Sequence, residues 1–254
     1  MVRNKMNAIA LLLLQLSAGT ACNRFSSGIS SSSIDRLFKE LAITPKAVWL
    51  VDADRNRNDT TEFLADSAPG HNRLELIGNL NIKKGTHLRR ALSGWSDKNY
   101  LRKQDFSLSG SSVSIGCWIY LKGPQPPMAT IMDNKHSGTS GLLFSVVKGN
   151  RVQLHIGNGD FSKAIVSKTP LTYNAWHFIT AVNDGINLYI FIDGRFTDIS
   201  LSTNVNVSVE KGLTIGQWCG VFGRGLRADT LLQEVFVVEQ PLTLSQIEYL
   251  YHGR

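Results

Sequence analysis

Hydrophobic and polar positions alternate with two different periods along this chain. In the first 45 residues apolar positions recur at helical spacing or in a continuous run. Residues 8–16 are apolar apart from Gln15, and Ile34, Leu37, Phe38 and Leu41 fall on one helical face, with Asp35 in the first turn and Pro45 as the stop. From residue 48 the period becomes two. Val113, Ile115, Cys117 and Ile119 alternate with Ser114, Gly116, Trp118 and Tyr120, residues 142–147 form an apolar run, and Val152, Leu154 and Ile156 alternate again. Residues 178–182 and 188–192 are dense in β-branched and aromatic side chains. Asn183-Asp184-Gly185 separates them and Asp193-Gly194 follows, so a three-stranded meander joined by tight Asp-Gly turns is expected. Pro241 ends the last strand, and Leu244, Ile247, Tyr249, Leu250 and Tyr251 predict one short closing helix. The pattern predicts an all-β, two-sheet antiparallel sandwich or a barrel.

The N-terminus adds an address. Arg3 and Lys5 precede the apolar run, and small residues lead to Ala21-Cys22, the layout of an export signal too short to span a bilayer. Gly19-Thr20-Ala21-Cys22 resembles a bacterial lipobox with Gly in place of the usual Leu, which makes Cys22 the candidate lipidation site. Cleavage after Ala21 to release a secreted protein, or no cleavage at all, are the alternatives. The organisation expected is a signal over residues 1–22, a tether with a short helix over 23–45 (residues 26–33 hold six serines) and a folded domain over 46–254. An exported cell-envelope lipoprotein or secreted protein follows. The membrane is reached only through the lipid.

Composition narrows the function classes. The chain has 254 residues, 43% hydrophobic and 19% charged, which excludes wholesale disorder, and three cysteines are too few for a disulfide-knotted scaffold. The net charge of +7 is scattered rather than gathered in a stripe, so no nucleic-acid partner is expected, whereas an acidic glycan or anionic surface is compatible. No G-x-S-x-G elbow, H-E-x-x-H motif or glycine-rich phosphate loop occurs. Cys117 and Cys219 could pair as a disulfide in an exported domain, or each could stay a buried thiol beside a tryptophan.

Eight segments in order carry a family resemblance. They include Val48-Trp49-Leu50, Asp66-Ser67-Ala68-Pro69-Gly70-His71-Asn72, Val113-Ser114-Ile115-Gly116-Cys117-Trp118-Ile119, Leu188-Tyr189-Ile190-Phe191-Ile192-Asp193-Gly194 and Leu213-Thr214-Ile215-Gly216. The stretch beginning Trp176-His177-Phe178 is similar to "W-H-H-V-A-V-T-Y-D-G", Gln233-Glu234-Val235 to "D-E-V-R-I", and Pro241-Leu242-Thr243-Leu244-Ser245-Gln246-Ile247 to "A-L-S-A-E-E-I". Over residues 47–251 the chain resembles a laminin-G-like, concanavalin A-like lectin/glucanase jelly roll. The resemblance implies that fold, and it implies a Ca2+ site carried by Asp66 and Asn72, with Gln233 standing where the family has Asp. The alternative is that Asp66 only caps a turn.

A binding role follows more readily than a catalytic one. Related glucanases place acidic residues along one strand. Here Glu234 and Glu239 have Phe236 between them and fall on opposite faces of an unbulged strand. His177 is expected to be structural. The loop beginning at Gln217-Trp218-Cys219 and ending at Leu226-Arg227 offers Trp218 and Phe222 for stacking on a sugar, and Arg224 and Arg227 for holding an acidic group. Residues 133–140 could rim the same end. The function expected is a surface-exposed, non-enzymatic module that recognises a glycan or cell-surface ligand, with calcium as a helper. A structural or adhesion protein such as a virion component, with a protein partner, is the alternative. A glycoside hydrolase through Glu234 and Glu239 is a third.

Overall fold

The computed structural model describes residues 34–51, 63–87, 89–108, 110–134, 138–201, 207, 212–218 and 223–253. The candidate signal, Cys22 and the serine-rich stretch lie outside them. Helix α1 (Ile34–Glu40) comes first, at the predicted place. Sixteen strands follow among the described residues: β1 (Ala47–Trp49), β2 (Phe63–Leu64), β3 (Leu74–Ile77), β4 (Asn81–Lys84), β5 (Arg90–Ser93), β6 (Tyr100–Lys103), β7 (Val113–Tyr120), β8 (Ala129–Asn134), β9 (Ser140–Val147), β10 (Arg151–Asn158), β11 (Ser162–Pro170), β12 (Trp176–Asn183), β13 (Asn187–Ile192), β14 (Arg195–Leu201), β15 (Leu213–Ile215) and β16 (Leu231–Val238). Helix α2 (Leu244–His252) closes the chain. Its Thr243 hydroxyl accepts the Gln246 N–H while the Gln246 side chain accepts the Thr243 N–H, a reciprocal capping box.

The strands form two antiparallel sheets. Sheet A runs β14-β13-β12-β7-β16-β5-β4, with β1 also paired to β16. Sheet B runs β11-β10-β9-β8-β15-β6-β3-β2. Alternation explains the layering. In β7, Val113, Ile115, Cys117 and Ile119 join the inter-sheet core with Leu142, Phe144, Leu154 and Ile156 of sheet B. Trp118 and its outward neighbours on sheet A belong to a second cluster with both helices. There the Phe38 ring of α1 meets Phe236 of β16 edge-on at 5.2 Å, and Tyr251 of α2 stacks on Trp118 at 5.7 Å. The helices are tied to each other by a hydrogen bond of 2.6 Å from the Tyr249 hydroxyl to Glu40. The helix expected inside a tether is therefore a packed layer of the domain.

The meander forms as expected, but its two turns differ. Between β13 and β14 the loop is Asp193-Gly194, with φ of 54° and 73°, the two-residue turn that needs left-handed backbone at both positions. His177 pins it. Its Nε2 accepts the Thr172 N–H at 3.1 Å, so Nδ1 carries the proton and donates to Asp193 at 2.8 Å. Between β12 and β13 the turn is longer. Only Gly185 has positive φ there, and the Asp184 carboxylate accepts the N–H groups of Ile186 and Asn187 instead.

If α1 is a true layer, Phe38→Ala should cost about 3–5 kcal/mol of unfolding free energy, read from urea denaturation. A loss below about 1 kcal/mol would mean that the helix is loosely docked.

Candidate functional site

Two helices cover the middle of the outer face of sheet A, leaving Phe196 and Ile199 of β14 exposed at its edge, and among the described residues no helix packs on the outer face of sheet B. The polar positions of that face lie within otherwise apolar strands. In β15, Leu213 and Ile215 point inward and Thr214 outward. In β9, Leu142, Phe144 and Val146 point inward, leaving Leu143 and Ser145 outside. In β8 a register shift between Thr130 and Met132 sends both Ile131 and Met132 into the core. Thr130 and Asp133, three apart, therefore emerge on the same outer face. Cross-strand register joins these positions into a row, His155–Leu143–Asp133–Thr214–Arg102–Glu75. A second row pairs Gln153 with Ser145 and Ser145 with Thr130.

Thr130, Asp133, Leu143, Ser145 and Thr214 form a buried floor. Half-buried Gln153 and His155 flank it on one side, and Tyr100, Arg102 and Glu75 on the other. A cavity of about 330 Å3 reaches two of these residues, Asp133 and Thr214, and is otherwise lined by Arg102, Lys103, Gln104, Gly212 and Leu213. Its cations have partners: Arg102 pairs with Glu75 and Lys103 with Asp105, each at 2.8 Å. This polar floor was not singled out from sequence. The signal was present as Thr, Asp and Ser placed inside apolar strands, but the β8 bulge hid the shared face.

The loop after β15 rims the same face. It leaves the sheet at Gly216, whose N–H donates to the Ile131 carbonyl, and rejoins it where the Thr130 N–H donates to Arg224. Gly216 has φ of 88° and lies against the Trp95 ring, where a Cβ would collide, so only glycine can start the loop this way. The Thr214 hydroxyl donates to the Gln217 carbonyl, which folds the loop over the outer face. Asp97, from the turn between β5 and β6, accepts Gln217 Nε2 at 2.7 Å and the Gly223 N–H at 3.1 Å. Trp218 and Arg224 meet at this rim, with the guanidinium carbon 4.6 Å from the indole centroid.

The predicted site residues separate accordingly. Trp218 and Arg224 come together. Arg227 turns to the Pro124 carbonyl and to Asp229, each at 3.1 Å, and Phe222 lies outside the described residues. Of the segment 133–140, residues 135–137 lie outside the described residues. The segment leaves β8 at Asn134, beside Gly212, whereas the Trp218 loop rejoins the sheet at the other end of β8.

The three residues of the calcium expectation serve two different segments. Asp66 accepts N–H groups from Val48, Ala68 and Asn72 at 2.8, 2.9 and 2.7 Å, the geometry of a buried turn cap. Asn72 donates to the Lys46 carbonyl. Gln233 instead accepts the Thr86 N–H at 2.9 Å on the far flank of β16. Among the described residues no group of three or more His, Cys, Asp or Glu side chains is placed to hold a metal ion.

Cys117 is a free, buried thiol on the inner face of β7, and burial pushes its pKa far up; Cys219, the other half of the expected pair, lies outside the described residues. Glu234 occupies a bulge between Gln233 and Phe236 with φ of 53°, where β16 changes neighbour from β5 to β1. The unbulged strand assumed from sequence is thus corrected. Glu234 is buried in sheet A and Glu239 pairs with Lys46 at 3.2 Å, away from the sheet B face.

Comparison with known proteins places this geometry. The sequence matches the family described as the concanavalin A-like lectin/glucanases superfamily over residues 95–248. No curated protein sequence matches the chain. Similar solved structures include the binding domain of botulinum neurotoxin DC in complex with SialylT, at TM-score 0.61 and 15% identity, covering 83% of this chain and 51% of that one. The binding domain of Paraclostridial Mosquitocidal Protein 1 has TM-score 0.62 and 14% identity, covering 83% and 52%. Domain 4 of AbnA, a GH43 extracellular arabinanase from Geobacillus stearothermophilus, in complex with arabinotriose, has TM-score 0.63 and 16% identity, covering 82% and 98%. This chain spans about half the length of the toxin binding domains, 51% of the first, and nearly all of the arabinanase domain, 98%. At these identities the likeness is one of fold.

His155 gives the face a pH signature. Its partial burial holds the imidazole below the ordinary histidine range, because desolvation disfavours the cation. The unfolded chain protonates near pH ~6.5, where the folded one resists. Stability therefore falls as pH drops from there towards the lowered pKa. His155→Gln should reduce the loss of urea midpoint between about pH 7.5 and 5.5. An unchanged loss would remove His155 from the account.

Proposed function

This chain belongs to the concanavalin A-like lectin/glucanase superfamily, and from that membership we propose that it is a non-catalytic carbohydrate-binding module whose glycan lies along the outer face of sheet B. The observation that carries the proposal is the contrast between the two outer faces. On one, two helices bury the aromatic side chains of the middle strands. The other carries polar side chains set in its strands, a small cavity that reaches Asp133 and Thr214 among them, and a half-buried tryptophan at the rim. Sugars offer hydroxyl edges and apolar C–H faces, so fixed hydroxyl and carboxylate groups beside one flat aromatic suit them.

The arabinanase domain supports this reading more than the toxins do, because the likeness runs over nearly its whole length, 98%, and that domain was solved with arabinotriose. A half-length match does not say which half of a toxin binding domain holds its ligand. On the same reading residues 1–22 export the chain and Cys22 takes the lipid, which would present the module at the cell surface. Calcium is not needed by the geometry proposed.

A panel of plant, bacterial and animal glycans, with arabinotriose among them, should show binding by the full-length protein that survives EDTA. Trp218→Ala should weaken it about tenfold while leaving the fold intact. Silence across the panel with a folded protein would contradict the reading and point to a protein partner. Binding abolished by EDTA would restore a calcium site.

A further inference from the structure

The surroundings of Arg224 narrow the glycan class. Two arginines flank the Trp218 rim and they are not equivalent. Arg227 spends Nη2 on Asp229 and Nη1 on the Pro124 carbonyl. Arg224 is half-buried, and among the described residues no carboxylate pairs with it. One nitrogen, Nη1, reaches the Met128 sulfur at 3.3 Å, a weak acceptor. Asp97, which anchors the same loop, is committed to Gln217 Nε2 and the Gly223 N–H. The guanidinium carbon sits over the Trp218 indole, and the Arg224 backbone is anchored to β8 through Thr130.

A stacked guanidinium has already lost much of its rotamer freedom, so a ligand that bonds to it pays little further ordering. Its fork matches a carboxylate in two parallel hydrogen bonds. Arg224 covers one face of the indole, so the sugar ring carrying that carboxylate would pack at the rim beside the pair.

We propose that the Trp218–Arg224 pair is a subsite for a carboxylate-bearing sugar, so that the module prefers acidic over neutral glycans. The preference rests on the glycan-binding reading and adds to it the identity of the group at the rim. The carboxylate could come from a uronic-acid chain or from a terminal sialic acid, and the test separates the two.

The full-length protein would be titrated with polygalacturonate and with its carboxyl-reduced form, and separately with sialyllactose and lactose. In at least one pair the acidic member should bind about ten- to a hundredfold tighter. Arg224→Gln should bring the ratio of acidic to neutral affinity down to about one, both affinities being read on the same variant. The double variant Lys83→Gln/Lys84→Gln removes two charges from the exposed β4 strand and should keep the preference.

The proposal is overturned if Arg224→Gln retains the acidic preference, or if the β4 variant loses it equally, since general positive charge would then suffice. Neutral sugars binding as well as acidic ones would overturn the subsite and leave the glycan reading standing. No binding to any sugar would overturn both.

Discussion

The packing of Phe38 and Tyr251 against Phe236, Trp118 and Phe178 decides what the rest of this molecule can do. A sandwich has two outer faces, and each is a candidate for a ligand. Here sheet A carries outward aromatics that must leave water, and α1 and α2 bury them. The same interaction makes residues 34–40 part of the domain and leaves sheet B as the face with polar side chains fixed in its strands. The inter-sheet core could form without the helices' aromatics, but the choice of face could not.

Strand bulges do the finer positioning. The shift in β8 puts two consecutive apolar residues inward and brings Thr130 and Asp133 to one outer face. The bulge in β16 sits where that strand exchanges β5 for β1 as its neighbour, and it holds Glu234 in a backbone conformation that favours glycine. The first shapes the proposed binding floor. The second shapes sheet A, where it buries Glu234, while Glu239 pairs with Lys46 beyond the end of the strand.

Much of the fold was legible because its signals are local. The period-two runs, the Asp193-Gly194 turn, both helices and the family landmarks all appear where residue spacing puts them. The pairing of Trp218 with Arg224 was half legible, since the loop composition offered two aromatics and two arginines but could not rank the arginines. That ranking depends on Asp229 and Pro124, which only the folded loop brings to Arg227. The calcium expectation met a different obstacle. Asp66, Asn72 and Gln233 fit the family's motif one by one, yet main-chain N–H groups claim Asp66, and β16 carries Gln233 to another loop. The polar floor escaped sequence reasoning because a one-residue bulge breaks the alternation on which face assignment depends.

The central claim is that ligand binds on the outer face of sheet B. The most direct measurement is a set of 15N–1H spectra of the isotopically labelled full-length protein, recorded with arabinotriose, sialyllactose and trigalacturonate in turn. A sugar that binds should move the amide resonances of Thr130, Ser145 and Thr214 together with the Trp218 indole. Shifts confined to α1, α2 or the β12–β14 meander, or no shift with any of the three sugars, would contradict the claim.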